Sequence, residues 1–171
     1  MKESTESVIG LQVIVLFILL FAAFLSLILC YSRSFMVKNQ MLTTIEKYGG
    51  INTDSINVIN NFALQKGYNE KGKCKAGWYG STSLKDIALE EVKDENKKYY
   101  YCFKVQKIYL EKSDRFAADK YKTNVQVFYR FNIPILGDIS NFKIEGTTNG
   151  YYANNGNFEY IDNNVNRKGT I

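Results

Sequence analysis

The chain has 171 residues, 46% of them hydrophobic and 15% aromatic, with 22 Lys and Arg against 17 Asp and Glu for a net charge of +5. It contains no histidine, which removes Ser-His and Cys-His nucleophile pairs and imidazole metal sites. The basic residues are scattered rather than blocked, so the charge suits a solvated surface, or loose attraction to anionic lipid or cell-wall polymers, better than a nucleic-acid stripe.

A short leader, residues 1–7, carries Lys2 as its one basic residue and precedes an uncharged run at 8–31, VIGLQVIVLFILLFAAFLSLILCY. At about 1.5 Å per helical residue this run outreaches the roughly 30 Å hydrocarbon core of a bilayer. A cleaved signal peptide has a basic start and an apolar stretch of only about 7–15 residues, so the run predicts a retained single-pass anchor in the cell membrane. The small pair Ala22 and Ala23 lies in mid-span, and Cys30 follows Leu29 rather than the small residue a lipoprotein needs. Gly10, Ala22, Ala23 and Ser26 are candidate helix-packing points, because small side chains permit close approach; ordinary span composition is the plainer reading. Orientation is divided. Arg33 and Lys38 after the span weakly favour a cytoplasmic domain. Cys74 and Cys102 suit a disulfide in an oxidising compartment, and the expectation adopted is an extracytoplasmic domain with that bridge, two free thiols being the alternative. Such a bridge is worth roughly 3 kcal/mol by loop entropy.

Beyond the span, residues 32–50 extend the helix, with Phe35, Met41, Leu42 and Ile45 as an apolar stripe and Gly49-Gly50 as its stop. Asn52-Thr53-Asp54 supplies N-cap chemistry for a second helix carrying Ile56, Ile59, Phe62 and Ala63, closed by Gly67 and lying on a sheet. Residues 71–80 read as a loop and 84–92 as a helical turn. Strands follow at 99–110, where Tyr99, Tyr101, Phe103 and Val105 alternate with polar residues and Cys102, and at 121–131, where Thr123, Val125, Val127 and Tyr129 oppose Lys122, Asn124, Gln126 and Arg130. An apolar turn at 133–138 leads to a return strand at 139–148 with Phe142 and Ile144 on one face. A small hairpin with an Asn-Gly turn is expected at 151–160, and a polar tail at 162–171. The fold class is therefore α+β: a long N-terminal transmembrane helix whose amphipathic half packs on an antiparallel sheet, with residues 51–161 as the extracytoplasmic domain.

Chemistry is sparse. The three cysteines lack metal-ligand spacing, and Gly72, Gly77 and Gly80 form neither a phosphate loop nor a dinucleotide fingerprint. Glu90, Glu91, Asp94 and Glu95 read as a solvated face rather than a calcium loop. The aromatic and basic stretch at 99–107 is better explained by packing than by nucleic-acid stacking. No catalytic, cofactor or metal residue is assigned, and the expectation is a non-enzyme whose partners are the lipid bilayer and other membrane proteins, with neither nucleic acid nor a small-molecule substrate.

The anchor, Arg33 just past it, and the segment VQVFYRFNIPILG at 125–137 followed by FKIEGTT at 142–148 resemble the TadE-like minor pilins and pseudopilins. In that family an alternating strand runs into a Pro/Leu/Gly turn and a second alternating strand. The resemblance implies a structural component of a pilus-assembly or Tad-type secretion system, with other pilin-like or secretion-system membrane proteins as partners. Prepilin peptidase substrates carry a glycine before the cut and a glutamate five residues beyond. Gly10 is present here, but Val15 stands in the glutamate's place, so the resemblance implies an uncleaved anchor. The rival reading is a ligand-binding or sensory ectodomain, with Trp78, Tyr79 and the tyrosine-rich strand lining its site.

Overall fold

The computed structural model describes residues 2–108, 120–133 and 137–152. The end of the 99–110 strand, the centre of the 133–138 turn, the Asn-Gly hairpin and the polar tail lie outside the described residues. A single uninterrupted helix, α1 (Lys2–Tyr48), takes in the whole apolar run and its extension. It stops where Gly49 adopts φ 66° and the Gly50 N–H turns back to the Ile45 carbonyl at 2.9 Å, a geometry that glycine accepts without penalty. The second helix, α2 (Thr53–Gln65), starts with a reciprocal cap. Asn52 Oδ1 accepts from the Ser55 N–H and Ser55 Oγ from the Asn52 N–H, both at 2.8 Å.

Among the described residues eight strands follow: β1 (Gly72–Lys73), β2 (Tyr79–Ser81), β3 (Leu89–Glu91), β4 (Lys98–Tyr99), β5 (Tyr101–Ile108), β6 (Lys120–Ile133), β7 (Gly137–Thr147) and β8 (Tyr151–Tyr152). The main sheet is antiparallel in the order β3-β2-β5-β6-β7, with β8 pairing the start of β6, while β1 and β4 form a separate two-stranded ribbon. The α+β expectation holds: a long apolar helix, a second helix and an antiparallel sheet.

The core lies between the helices and one face of the sheet. Val37, Met41 and Ile45 of α1 and Ile56, Ile59 and Ala63 of α2 close on Tyr101, Phe103, Val125 and Val127. Three local expectations are corrected. Of the expected α1 stripe, Met41 and Ile45 are buried and Leu42 packs against the core, but Phe35 is 39% exposed; Ser34, Val37 and Thr44 complete the buried row, which α1 turns toward β6. The 84–92 stretch is not a helical turn; its end, Leu89–Glu91, pairs with Tyr79–Ser81 as a strand. Tyr99 does not share a face with Tyr101, because the chain breaks at Tyr100, whose N–H bonds to the Ser81 carbonyl at 2.9 Å, and Tyr99 joins β1 instead.

The sheet's second face is also covered, against the expectation of an open polar face at Gln126. Cys74, Trp78, Val92, Tyr99, Cys102 and Phe128 form a smaller core there. A backbone of this length can fold back over its own sheet once a covalent tie holds the strap, and Cys74 and Cys102 are joined by a disulfide.

Candidate functional site

Among the described residues, two places carry side chains in arrangements beyond plain packing. One is the junction of α1 with the β6–β7 pair. The other is the disulfide-tied face.

At the junction, α1 runs antiparallel to β6, and four contacts fix their relative position. Glu46 Oε1 accepts from the Asn149 N–H. Lys38 and Leu42 lie against Gly146. Ser34 Oγ donates to the Phe128 carbonyl at 2.9 Å. Tyr31 meets Tyr129 edge-on with ring centroids 5.6 Å apart. Tyr129 in turn stacks on Phe142 at 5.2 Å, Tyr31 stacks on Phe35 at 6.0 Å, and the Lys38 ammonium sits 4.3 Å above the Phe35 ring. The result is an aromatic collar at the level where the apolar run ends. Amphipathic rings with nearby lysine or arginine are the residue types that settle at the boundary between lipid and water.

Below the collar α1 is bare. From Ile9 to Leu20 every described large apolar side chain is exposed, the condition of a helix that a membrane or other helices must cover. The helix from Ile9 to Tyr48 is long and apolar enough to cross a bilayer. Gly10 has open space around it, and Val15 and Ala22 face outward. Ala23 differs: it is 6% exposed, with Ser26, Leu27 and Cys30 half-buried on the same helix face. Of the four small residues considered as packing points for a neighbour's helix, Ala23 and Ser26 are therefore on a face this chain itself covers. Gly10 and Ala22 remain available.

On the disulfide-tied face, an open cleft of about 300 Å³ is lined by Lys73, Lys75, Lys143, Glu95, Asn96 and Gln126 beside Cys74. Gln126 is 1% exposed; its amide nitrogen donates to the Lys73 carbonyl at 3.4 Å, while its Oε1 has no protein partner. The lysines are already engaged: Lys73 with Asn96, and Lys143 and Lys75 with Glu145. The Lys143 hydrogen bond holds the Glu145 carboxyl below the usual carboxylate range. Trp78 and Tyr79, the aromatics considered as a ligand site, are used in packing: Trp78 is buried near the disulfide, and Tyr79 stacks on Phe103 at 5.8 Å.

The acidic group does not converge. Glu90 pairs with Lys97, whose hydrogen bond lowers its carboxyl, while Glu91 and Glu95 are exposed. Among the described residues no three His, Cys, Asp or Glu side chains gather as a metal site would require. Burial, and then a hydrogen bond to the Glu90 carboxylate, pushes the Tyr99 hydroxyl up to about 12, which stabilises its protonated form and suits it to structure rather than proton transfer. The collar was legible only in part: Arg33 and the end of the apolar run marked its level, but nothing local predicts that Tyr129 and Phe142 sit beside Tyr31. Compared with known proteins, the chain matches no family model, no curated protein and no solved structure.

Proposed function

We propose that this chain is a membrane-anchored, pilin-like structural component, TadE-like in kind, that organises a pilus-assembly or Tad-type secretion complex and performs no chemistry of its own. The observation that carries the reading is the continuity of α1. One helix, Lys2–Tyr48, is bare and apolar from Ile9 to Leu20 and supplies the sheet's core from Val37 to Ile45. That arrangement couples a folded domain rigidly to whatever packs against the span, as a subunit of a helix-cored assembly needs. The Cys74–Cys102 bridge supports an extracytoplasmic domain, because such bonds persist in oxidising compartments. With Val15 at the position of the expected glutamate, the anchor is uncleaved at Gly10.

The test is photo-crosslinking in cells from Phe17 and Leu20, both exposed on the span. Capture of other single-span membrane proteins at these positions is the expected result; crosslinks to lipid alone would sink the assembly role. Topology is read separately with a membrane-impermeant maleimide. Labelling of Cys74 and Cys102 in intact cells only after reduction is expected, whereas labelling without reductant and only after lysis places the domain in the cytoplasm. A second reading, a ligand-binding ectodomain, is favoured by the cleft at Gln126 with its unpartnered Oε1. Its ligand would carry an N–H or O–H donor for that oxygen.

A further inference from the structure

We infer that the end of the β6–β7 ribbon enters the outer part of the bilayer alongside α1, so that the protein meets lipid through a helix and a hairpin together. The inference rests on the membrane-anchor reading and extends it.

Strand β5 pairs with β6 only as far as Tyr101 with Val127. Beyond that point, among the described residues, β6 pairs with β7 alone, and the pairing continues to Ile133 with Gly137 as a two-stranded ribbon. A two-stranded ribbon is marginal in water by itself and needs a surface to lie on. The contacts at the junction show which way it points: from Ser34–Phe128 to Tyr31–Tyr129 the β6 numbers rise as α1 numbers fall, and from Gly146 to Asn149 the chain of β7 rises with α1, so the ribbon runs toward the apolar half of the helix.

Its reach follows from the rise per residue. Phe128 is level with Ser34. The five residues from there to Ile133, at about 3.3 Å each, cover roughly 16 Å. The same distance along a helix at about 1.5 Å per residue is about 11 residues, which leads from Ser34 to Ala23. Ala23 is the residue found buried, next to an exposed Ala22. Burial and register agree on where the ribbon ends.

The bilayer sets the other constraint. A hydrocarbon core of about 30 Å requires about 20 helical residues. Lys2, Glu3 and Glu6 resist entry, so the crossing begins near Val8 and extends to about Leu27. The level of Ala23 is then about four residues, or roughly 6 Å, inside the hydrocarbon boundary. Keeping the ribbon out of lipid would leave residues 8–22 for the crossing, about 22 Å, which is too short. The residues of this end, 131–133 on β6 and Gly137 on β7, carry no charge, and Arg130 and Asp138 flank them. Those two charges limit the depth to a shallow one, as does the cost of unpaired strand edges in lipid.

The experiment uses the full chain with Cys30→Ser, the disulfide left oxidised, and single cysteines introduced as Ile133→Cys, Phe142→Cys, Val15→Cys or Lys93→Cys. Each is labelled with bimane and reconstituted in phosphatidylcholine and phosphatidylglycerol vesicles. Nitroxide lipids quench from within the bilayer and iodide from the water. A label at 133 should be quenched several-fold more by shallow nitroxide than one at 93 and be shielded from iodide, with 142 intermediate. If 133 is quenched by iodide as fully as 93 while 15 answers to deep nitroxide, the anchor stands and the ribbon inference is overturned. If 15 is also open to iodide, the anchor reading itself fails and the ribbon inference falls with it.

Discussion

The backbone of Phe128 sits where β6 has outrun β5, and two side chains replace the missing strand. Tyr68 Oη accepts from the Phe128 N–H at 3.0 Å and donates to the Tyr100 carbonyl at 2.7 Å, while Ser34 Oγ donates to the Phe128 carbonyl at 2.9 Å. A buried backbone group stripped of its partner costs about 1–3 kcal/mol. Tyr68→Phe removes partners from two such groups and should lower stability by about 2–4 kcal/mol, read from the urea midpoint of the detergent-solubilised protein. A change under about 0.5 kcal/mol, the level of an ordinary surface substitution, would mean that water takes over the hydroxyl's role. A second residue-level effect is steric. A Cβ on Gly80 would overlap the ring of buried Tyr99, and the one on Gly72 would overlap Phe128. Gly80→Ala should therefore cost about 1–3 kcal/mol, as overpacking generally does, and the same melts would detect it.

Among the elements, the strap from β1 to β2 depends most on one bond. Cys74 and Cys102 are separated by 28 positions, and closing a loop of that size is worth about 3.5 kcal/mol in the chain-entropy account. Replacing both cysteines with alanine should loosen the face built by Trp78, Val92, Tyr99 and Phe128 while leaving β5–β6 paired. Hydrogen exchange would then show lost protection at β1 and β2 with protection at Val125 and Val127 kept; simultaneous loss at all of them would mean one cooperative core instead. The parts easiest to read from the sequence are those set by one buried face: α1, α2 and the side of β6 that carries Thr123, Val125 and Val127. The strap confounded the reading because it gives the sheet a second buried face. Gln126 and Phe128 fall in a polar-looking register, yet the fold buries both. β3 departs from the expected helical turn for a related reason: Leu89–Glu91 is too short to show a period, and only its pairing with Tyr79–Ser81 makes it a strand. The disulfide itself was available from composition, but the side chains of the collar meet across a separation of about a hundred residues that no local pattern encodes.

At the scale of the whole molecule, the tyrosines set the alkaline limit. Burial raises the hydroxyls of Tyr68, Tyr101 and Tyr151, and burial with Glu90 holds Tyr99 at about 12. The folded chain keeps these protons, while the unfolded chain releases them near pH 10. Their stabilising contribution is complete below that value and is lost as pH climbs through the folded pKa values, so the urea midpoint should fall steadily above about pH 10. Glu90 and Glu145 act in the opposite direction: their lowered carboxyls contribute above their ordinary pKa and lose that contribution as pH falls, but both are solvent-facing pairs and the acid limb should be shallow. The larger consequence concerns where the domain begins. A boundary at Gly50 looks natural from sequence, since Gly49-Gly50 ends α1 and α2 starts just after. Yet Val37, Met41 and Ile45 are fully buried in the main core and lie before it. Burying side chains of this size is worth about 1.5–3 kcal/mol each, so deleting the three removes roughly 5–9 kcal/mol, against a total stability of about 5–15 kcal/mol for a typical domain. A chain starting at Arg33 should therefore fold with a cooperative melt, and one starting at Ile51 should not, with its sheet face exposed and binding hydrophobic dye. A cooperative transition in the Ile51 chain would show that α1 merely leans on a self-sufficient sheet, and the rigid coupling of apolar helix to domain on which the proposed assembly role depends would lose its basis.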